Sequence, residues 1–187
     1  MGQEATVASM KAARGRLPFD LREMHPDTGS EFVNWVAKRW CDEENIKLTR
    51  SEPGKKNDNM YVEERNGHVV RKYLGYIRLD VREVVPLMNE LYDVLGLYLN
   101  HFIPVRRTLS KERVGAKYRR TFEKHARTPY TRTLEHEQVP GHRKETLRCE
   151  HERLNPLLLK REIDRLRKQI FDVQKRGCGT ESSSTSR

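Results

Sequence analysis

Residues 25–32 have the sequence HPDTGSEF and follow a short, partly apolar segment, and residues 57–66 have the sequence NDNMYVEERN at the start of a helical pattern. The first stretch presents Asp27 and the second presents Glu63, with residues 28–62 between them. A carboxylate at the end of a strand and another on a facing helix supply the oxygen ligands that Mg²⁺ prefers. The two stretches therefore predict an α/β fold that carries an acidic metal site.

The composition favours a polyanionic partner. The chain has 187 residues, 37 Lys and Arg against 27 Asp and Glu, and a formal net charge of +10. Nucleic acid or an acidic membrane surface would attract such a charge. No apolar run approaches the roughly 18 residues of a membrane span, and the first residues lack the apolar region of a signal peptide. We therefore expect a cytosolic protein whose three scattered cysteines are free thiols.

Positive charge is concentrated between residues 101 and 133. This segment contains ten Lys and Arg and only two acids, Glu112 and Glu123. Tyr118, Phe122 and Tyr130 interleave with these cations, and such a segment can neutralise phosphates and stack on bases. The alternative is a solvated basic linker. The candidate phosphate contacts are Arg106, Arg107, Lys111, Arg113, Lys117, Arg119 and Arg120.

Periodicity predicts the main elements. Helices are expected over residues 6–14, 31–44, 59–74 and 80–102, and short strands within 17–24 and over 46–49. Asn155-Pro156 predicts the start of a further helix with apolar residues at heptad-like spacing. Trp35 and Trp40 are expected to anchor the second helix in the core. Residues 177–187, rich in Ser and Thr, are expected to be disordered.

The helix over residues 80–102 has the clearest apolar spacing in the chain. Asp80 and Glu83 form a capping pattern at its start, and Pro104 lies just beyond its end. Pro86 conflicts with that start, so the helix either kinks there or begins closer to the proline.

The stretch Asp27-Thr28-Gly29-Ser30-Glu31-Phe32 resembles a segment of integrase and transposase catalytic domains, in which Asn follows the Asp. Residues 57–76 resemble the glutamate-bearing helix of bacterial insertion-sequence transposases, and the interval from Asp27 to Glu63 matches that family. Three later stretches are also similar to this group, at residues 98–102, 128–132 and 154–156. The resemblance covers about residues 10–175, and its motifs are specific in combination.

The resemblance implies a ribonuclease-H-like fold in which three acids hold two Mg²⁺ or Mn²⁺ ions for DNA strand transfer. Asp27 would be the second acid and Glu63 the third. One ion would activate the attacking hydroxyl and the other would stabilise the leaving oxygen. Asn66, on the same helix face as Glu63, would orient water or phosphate, and the cations of that helix, Arg65, Arg71 and Lys72, would contact the DNA backbone.

Two departures from the family pattern matter. Thr28 stands where the family has Asn, and the family's first Asp would lie well upstream of Asp27, which only 26 residues precede. We therefore expect a partial integrase core over residues 1–103, incomplete on its N-terminal side and inactive alone. A basic, mostly helical region would follow over residues 104–176. The expected partners are the ends of a mobile element, target DNA and a multimer with itself or the full enzyme, in a bacterial nucleoid.

Other functions fit parts of the sequence. Asp27-Thr28-Gly29-Ser30 matches the aspartic protease signature, but that site needs a β-rich dimer or a duplicated half. His136, His142, Cys149 and His151 have no common zinc spacing. A non-catalytic DNA-binding protein, such as an inhibitor of transposition, is an alternative function, and a degenerate gene fragment that scarcely folds is another.

Overall fold

The computed structural model describes residues 3–26, 35–49 and 66–181. They contain both helices and small sheets, in agreement with the predicted α/β class. The chain divides into two compact units, residues 1–76 and 77–187, and each is described by itself.

The described part of the first unit begins with helix α1 (Gln3–Gly15). Strand β1 (Glu23–Met24), helix α2 (Trp35–Glu43) and strand β2 (Lys47–Leu48) follow. The two strands pair in parallel, with Glu23 opposite Lys47 and Met24 opposite Leu48. The described parts of β1, α2 and β2 lie within the stretches that periodicity predicts, whereas α1 extends beyond the predicted helix over residues 6–14 at both ends.

A small apolar core joins the two helices to the strands. Its buried residues come from α1, from α2 and from the segment before β2: Val7, Met10, Ala37, Trp40, Cys41 and Ile46. Leu21, Met24, Val36 and Leu48 pack against it. Trp40 is 4% exposed, as predicted, but Trp35 is 73% exposed, so the prediction that both tryptophans anchor this helix was wrong for Trp35.

Within the predicted helix 59–74, the described part begins at Asn66. Residues Asn66–Arg71 form a π-helix, which continues into one α-helical turn, α3 (Lys72–Leu74). The turn stops at Gly75, whose φ of 73° lies in the region that favours glycine.

The second unit opens with helix α4 (Val84–Phe102) and continues into strands β3 (Thr108–Val114) and β4 (Lys117–Phe122). Three helices follow: α5 (Pro129–Glu135), α6 (Gly141–Arg153) and α7 (Pro156–Glu181). Asn155 caps α7 as predicted, because its Oδ1 accepts hydrogen bonds from the backbone N–H of Leu157 at 2.9 Å and of Leu158 at 3.3 Å.

The core of this unit is the packing of α4 against α7. Val84, Leu91 and Leu95 from α4 meet Ile163, Leu166 and Ile170 from α7, and all six are buried. The two helices run antiparallel, because residues just before α4 meet the C-terminal part of α7: Gln174 Nε2 donates to Asp80 Oδ1 at 2.6 Å. Gly177 lies so close to Val81 that an added Cβ would be 2.4 Å from Val81 Cγ2.

The start of α4 differs from the predicted capping pattern. The helix begins at Val84, not at Asp80, so Pro86 lies in the first turn, where its missing N–H breaks no helical hydrogen bond. Glu83 occupies the N-cap position without a side-chain cap. Asp80 instead accepts the hydrogen bond from Gln174, so this carboxylate joins α7 to the start of α4.

The expected domain boundaries at residues 103 and 177 stay predictions. Helix α4, which ends at Phe102, packs against α7 within the second unit. Helix α7 extends to Glu181, into the stretch expected to be disordered. None of the helices in the described residues has the length and apolarity needed to span a membrane.

Candidate nucleic-acid interface

Strands β3 and β4 form an antiparallel two-stranded hairpin over residues 108–122. Gly115 and Ala116 make its two-residue turn, and the φ of Gly115 is +62°. A positive φ at the first central position of a two-residue loop is typical of the II′ turns that match the twist of hairpin strands, and glycine adopts it without strain. An irregularity between Thr108 and Ser110 shifts the register at the base.

The hairpin is exposed and basic. Between residues 111 and 122 every residue is exposed. The seven cations predicted to contact phosphate all lie on the hairpin or at its base, and all are exposed: Arg106, Arg107, Lys111, Arg113, Lys117, Arg119 and Arg120. The structure therefore brings the whole predicted set together on one projecting element.

The hairpin itself was not predicted from the sequence, although a signal for it exists. Thr108, Val114, Tyr118, Thr121 and Phe122 are residue types that strands favour, and they flank Gly115 closely. The high density of Arg and Lys obscured the alternation of apolar and polar residues, because both faces of the ribbon are polar.

The base of the hairpin is held by Glu123, which is buried. The Arg132 guanidinium donates to both carboxylate oxygens, from Nη1 to Oε1 at 2.7 Å and from Nη2 to Oε2 at 2.5 Å. The backbone N–H of Arg107 donates to Oε2 at 3.1 Å, and Arg127 lies 3.5 Å from Oε1. We call this group of Glu123, Arg107, Arg127 and Arg132 the Glu123 anchor.

The anchor stabilises the charged form of Glu123. Hydrogen bonds from Arg132 and from the backbone of Arg107 hold the pKa of the carboxyl far below its ordinary value, against the opposing effect of burial. A carboxyl whose pKa is lowered on folding contributes stability above its ordinary pKa of about 4.5, and this contribution is lost as the pH falls below that value.

The anchor joins the hairpin to helix α5. Arg132 lies on α5 and also donates to the carbonyl of Val105 at 2.7 Å, and Val105 forms a β-bridge with Arg127. Thr128 caps α5, because its hydroxyl accepts from the backbone N–H of Thr131 at 3.1 Å. Two of the seven predicted contacts take part here: Arg106 Nε donates to the carbonyl of Glu123 at 2.7 Å, and Arg107 pairs with its carboxylate.

A second cluster, which we call the ring stack, holds α5 and α6 to the end of α4. It comprises His101, Phe102, Tyr130 and His151. Tyr130 and His151 stack with their centroids 4.2 Å apart and an interplanar angle of 11°, and Tyr130 stacks on His101 at 5.1 Å. The Nδ1 atoms of the two histidines are 3.2 Å apart. The stretches at 98–102 and 128–132, singled out by the family resemblance, thus meet in the ring stack.

The ring stack favours a neutral His101. This residue is buried, and burial lowers its pKa; His151 lowers it further, while Glu150, 3.7 Å from Nε2, acts in the opposite direction. The unfolded chain therefore takes up a proton at His101 at a higher pH than the folded chain does.

We expect the melting temperature to fall as the pH is lowered from about 6.5, the ordinary pKa of histidine, towards the lower pKa of folded His101. Above pH 7.5 His101 should contribute no further change in stability, because it is then neutral in both states. His101→Asn removes the titrating group, so its melting temperature should be lower than that of the wild type but should change less between pH 5.5 and 7.5. Thermal melts followed by circular dichroism across this range measure both quantities.

His142→Asn is the matched control, because His142 is exposed on α6. It should keep the wild-type pH dependence. A His101→Asn variant with the same pH dependence as the wild type would show that another group is responsible.

The predicted metal ligands Asp27 and Glu63, together with Arg65, lie outside the described residues. What is described is the end of β1 that precedes Asp27. There, Thr49 Oγ1 lies 2.9 Å from His25 Nδ1 and donates to Glu23 Oε1 at 3.2 Å. His25 and Thr49 directly follow the two strands, so these polar side chains lie at the carboxyl ends of the parallel pair, the edge at which α/β sheets place their functional groups.

The other predicted DNA contacts of the first unit lie on the π-helix and α3. Asn66 lies in the described π-helix. Arg71 and Lys72 are both exposed. The Arg71 guanidinium lies 5.4 Å from the centroid of the Tyr76 ring, which is also exposed. The exposed side chains of Arg71 and Lys72 are therefore accessible to a phosphate group.

The four residues considered for zinc are not brought together. Within residues 3–26, 35–49 and 66–181, no group of three or more His, Cys, Asp and Glu is placed to hold a metal ion. His151 packs in the ring stack and Cys149 is exposed on α6.

Comparison with known proteins adds a relative without a functional name. Over 111 residues the chain is 38% identical to "Uncharacterized protein y4rM" of Sinorhizobium fredii. The match covers 59% of this chain and 32% of the relative, so the chain spans about a third of the length of the curated protein it matches. No protein-family model matches the chain.

Proposed function

We propose that this chain is part of a transposase or integrase that transfers DNA strands, and that the exposed basic hairpin is a DNA-binding element of it. The observation that carries the proposal is the placement of the cations. Five of the seven are on the strands of an anchored hairpin in which every residue from 111 to 122 is exposed. A two-stranded ribbon of this charge is complementary to the phosphate backbone of DNA.

The catalytic part of the proposal rests on the sequence. Asp27 and Glu63 are the candidate ligands for Mg²⁺ or Mn²⁺, in a core of ribonuclease-H-like type. Metal ions held by such carboxylates would activate the attacking hydroxyl. The parallel pairing of β1 with β2, with α2 between them in the chain, supports an α/β core of this kind.

The binding test uses the whole chain and a fluorescein-labelled duplex of random sequence, with fluorescence anisotropy measured at increasing salt concentration. If about five cations contact phosphates, the logarithm of the affinity should fall linearly with the logarithm of the salt concentration, with a slope of about −4.5. Absence of binding at low salt, or affinity that does not change with salt, would contradict the proposal.

A second experiment separates strand transfer from binding alone. The chain is incubated with supercoiled plasmid and Mn²⁺, beside Asp27→Ala. Strand transfer of this type uses three acids and the chain offers two candidates, so we expect binding without nicking. Nicking that Asp27→Ala abolishes would show that the chain is catalytically competent by itself. If a longer protein that contains this chain also binds DNA without nicking it, the function is that of a non-catalytic DNA-binding protein.

A further inference from the structure

The two faces of the hairpin carry different side chains. Directly opposite residues of an antiparallel pair share a face, and the faces alternate along each strand. Lys111 lies opposite Arg120 and Arg113 opposite Tyr118, so these four residues form one face, which we call the Lys111 face. The opposite face, which we call the Lys117 face, carries Glu112 opposite Arg119 and Val114 opposite Lys117.

The charge of the hairpin is concentrated on the Lys111 face. Its three cations, without an acid, give +3, whereas the two cations of the Lys117 face are reduced to +1 by Glu112. Glu112 lies directly opposite Arg119 in the register. An acid in that position repels phosphate and base acceptors, so a polyanion is bound more favourably by the Lys111 face.

The Lys111 face also has the side chains that distinguish base pairs. The planar guanidinium groups of Arg113 and Arg120 match the O6 and N7 acceptors of guanine in the major groove, and an aromatic edge can contact the thymine methyl group. Arg113 is partly oriented already, because its Nε donates to the carbonyl of Gly115 at 3.2 Å. Lys111 Nζ lies 4.6 Å from the centroid of the Tyr118 ring, which is 59% exposed.

The dimensions of the hairpin suit the major groove. Two paired strands lie about 4.8 Å apart, and the major groove of B-DNA, about 12 Å wide, admits a two-stranded ribbon with its side chains. The Glu123 anchor fixes the base of the ribbon, so little conformational entropy remains to be lost on binding there. We infer that the Lys111 face, and not the Lys117 face, enters the major groove of duplex DNA and reads its bases. This inference rests on the proposed DNA-binding function.

Two double variants test it, each of which removes two cations from exposed positions. Arg113→Gln with Arg120→Gln alters the Lys111 face, and Lys117→Gln with Arg119→Gln alters the Lys117 face. A preferred duplex is first selected from a random-sequence pool with the wild-type chain. Affinities for that duplex and for an unselected duplex are then compared among the three proteins at one salt concentration.

We expect the Lys111-face variant to lose the preference for the selected duplex by at least about tenfold, and the Lys117-face variant to keep it. For the unselected duplex, the Lys111-face variant should lose at least as much affinity as the Lys117-face variant, because the more positive face binds the polyanion more favourably. Equal melting temperatures of the three proteins would show that neither double variant disturbs the fold.

The outcomes separate this inference from the proposed function. If the wild type binds DNA but both variants lose the preference equally, or if no preferred duplex can be selected, the face assignment is overturned and DNA binding stands. Tighter binding to single-stranded DNA than to duplex would overturn entry into the major groove. No DNA binding by the wild type would refute the proposed function itself.

Discussion

Leu166→Ala is expected to lower the free energy of unfolding of the second unit by about 2–5 kcal/mol. Leu166 is fully buried on α7, between Ile163 and Ile170, where it packs against α4. Truncation removes apolar contacts and leaves a cavity that two rigid helices cannot close. Urea denaturation followed by circular dichroism measures the change, and the denaturant slope should stay constant if only stability changes.

Leu158→Ala provides the control on the same helix. Leu158 is 59% exposed, so its truncation should change the free energy of unfolding by no more than about 0.5 kcal/mol. Similar losses in the two variants would show that the apolar packing of α4 with α7 is not what stabilises this unit.

The second large effect concerns the Glu123 anchor. Glu123→Gln removes a negative charge from a basic segment, so electrostatics alone predicts tighter DNA binding. We expect the opposite, a loss of DNA affinity of several-fold, because the hairpin is no longer fixed by its bonds to Arg107 and Arg132. Three arginines that converge on one carboxylate would also be left to repel one another. Amide hydrogen exchange in residues 108–122 should become faster in this variant.

Glu112→Gln removes the same charge from the exposed part of the hairpin without touching the anchor. It should bind DNA as tightly as the wild type or slightly more tightly, with unchanged hydrogen exchange. A Glu123→Gln protein that behaves in the same way would show that the anchor has no part in ordering the hairpin.

Much of the helical structure could be predicted from the sequence, because the apolar periodicity records which face is buried. The spacing of Ile163, Leu166 and Ile170 predicts the buried stripe of α7, and Asn155-Pro156 predicts its start. The predicted capping by Asp80 and Glu83 failed for a physical reason. A carboxylate can accept from any donor within reach, and Gln174, far away in the chain, supplies that donor to Asp80.

The composition predicted which cations belong to the candidate interface, but it did not predict the hairpin that carries them. A count of charges locates the cations within residues 101–133, but strand register decides which of them share a face. Glu123 could not be recognised as an anchor, because its partners Arg107, Arg127 and Arg132 are brought together by the turn of the hairpin and by α5. Trp35 shows the converse, since an aromatic residue in an apolar pattern is exposed.

The long separation between α4 and α7 in the chain has a consequence for the order of folding. Residues 103–155 must be closed into a loop before the two helices can meet, so their pairing is a slow, non-local step. The hairpin, closed by two residues, forms on its own in about 1–10 μs, although an isolated hairpin is only marginally stable. During refolding, the strands of the hairpin are therefore expected to form and dissolve many times before Arg132 reaches Glu123 and makes them persist.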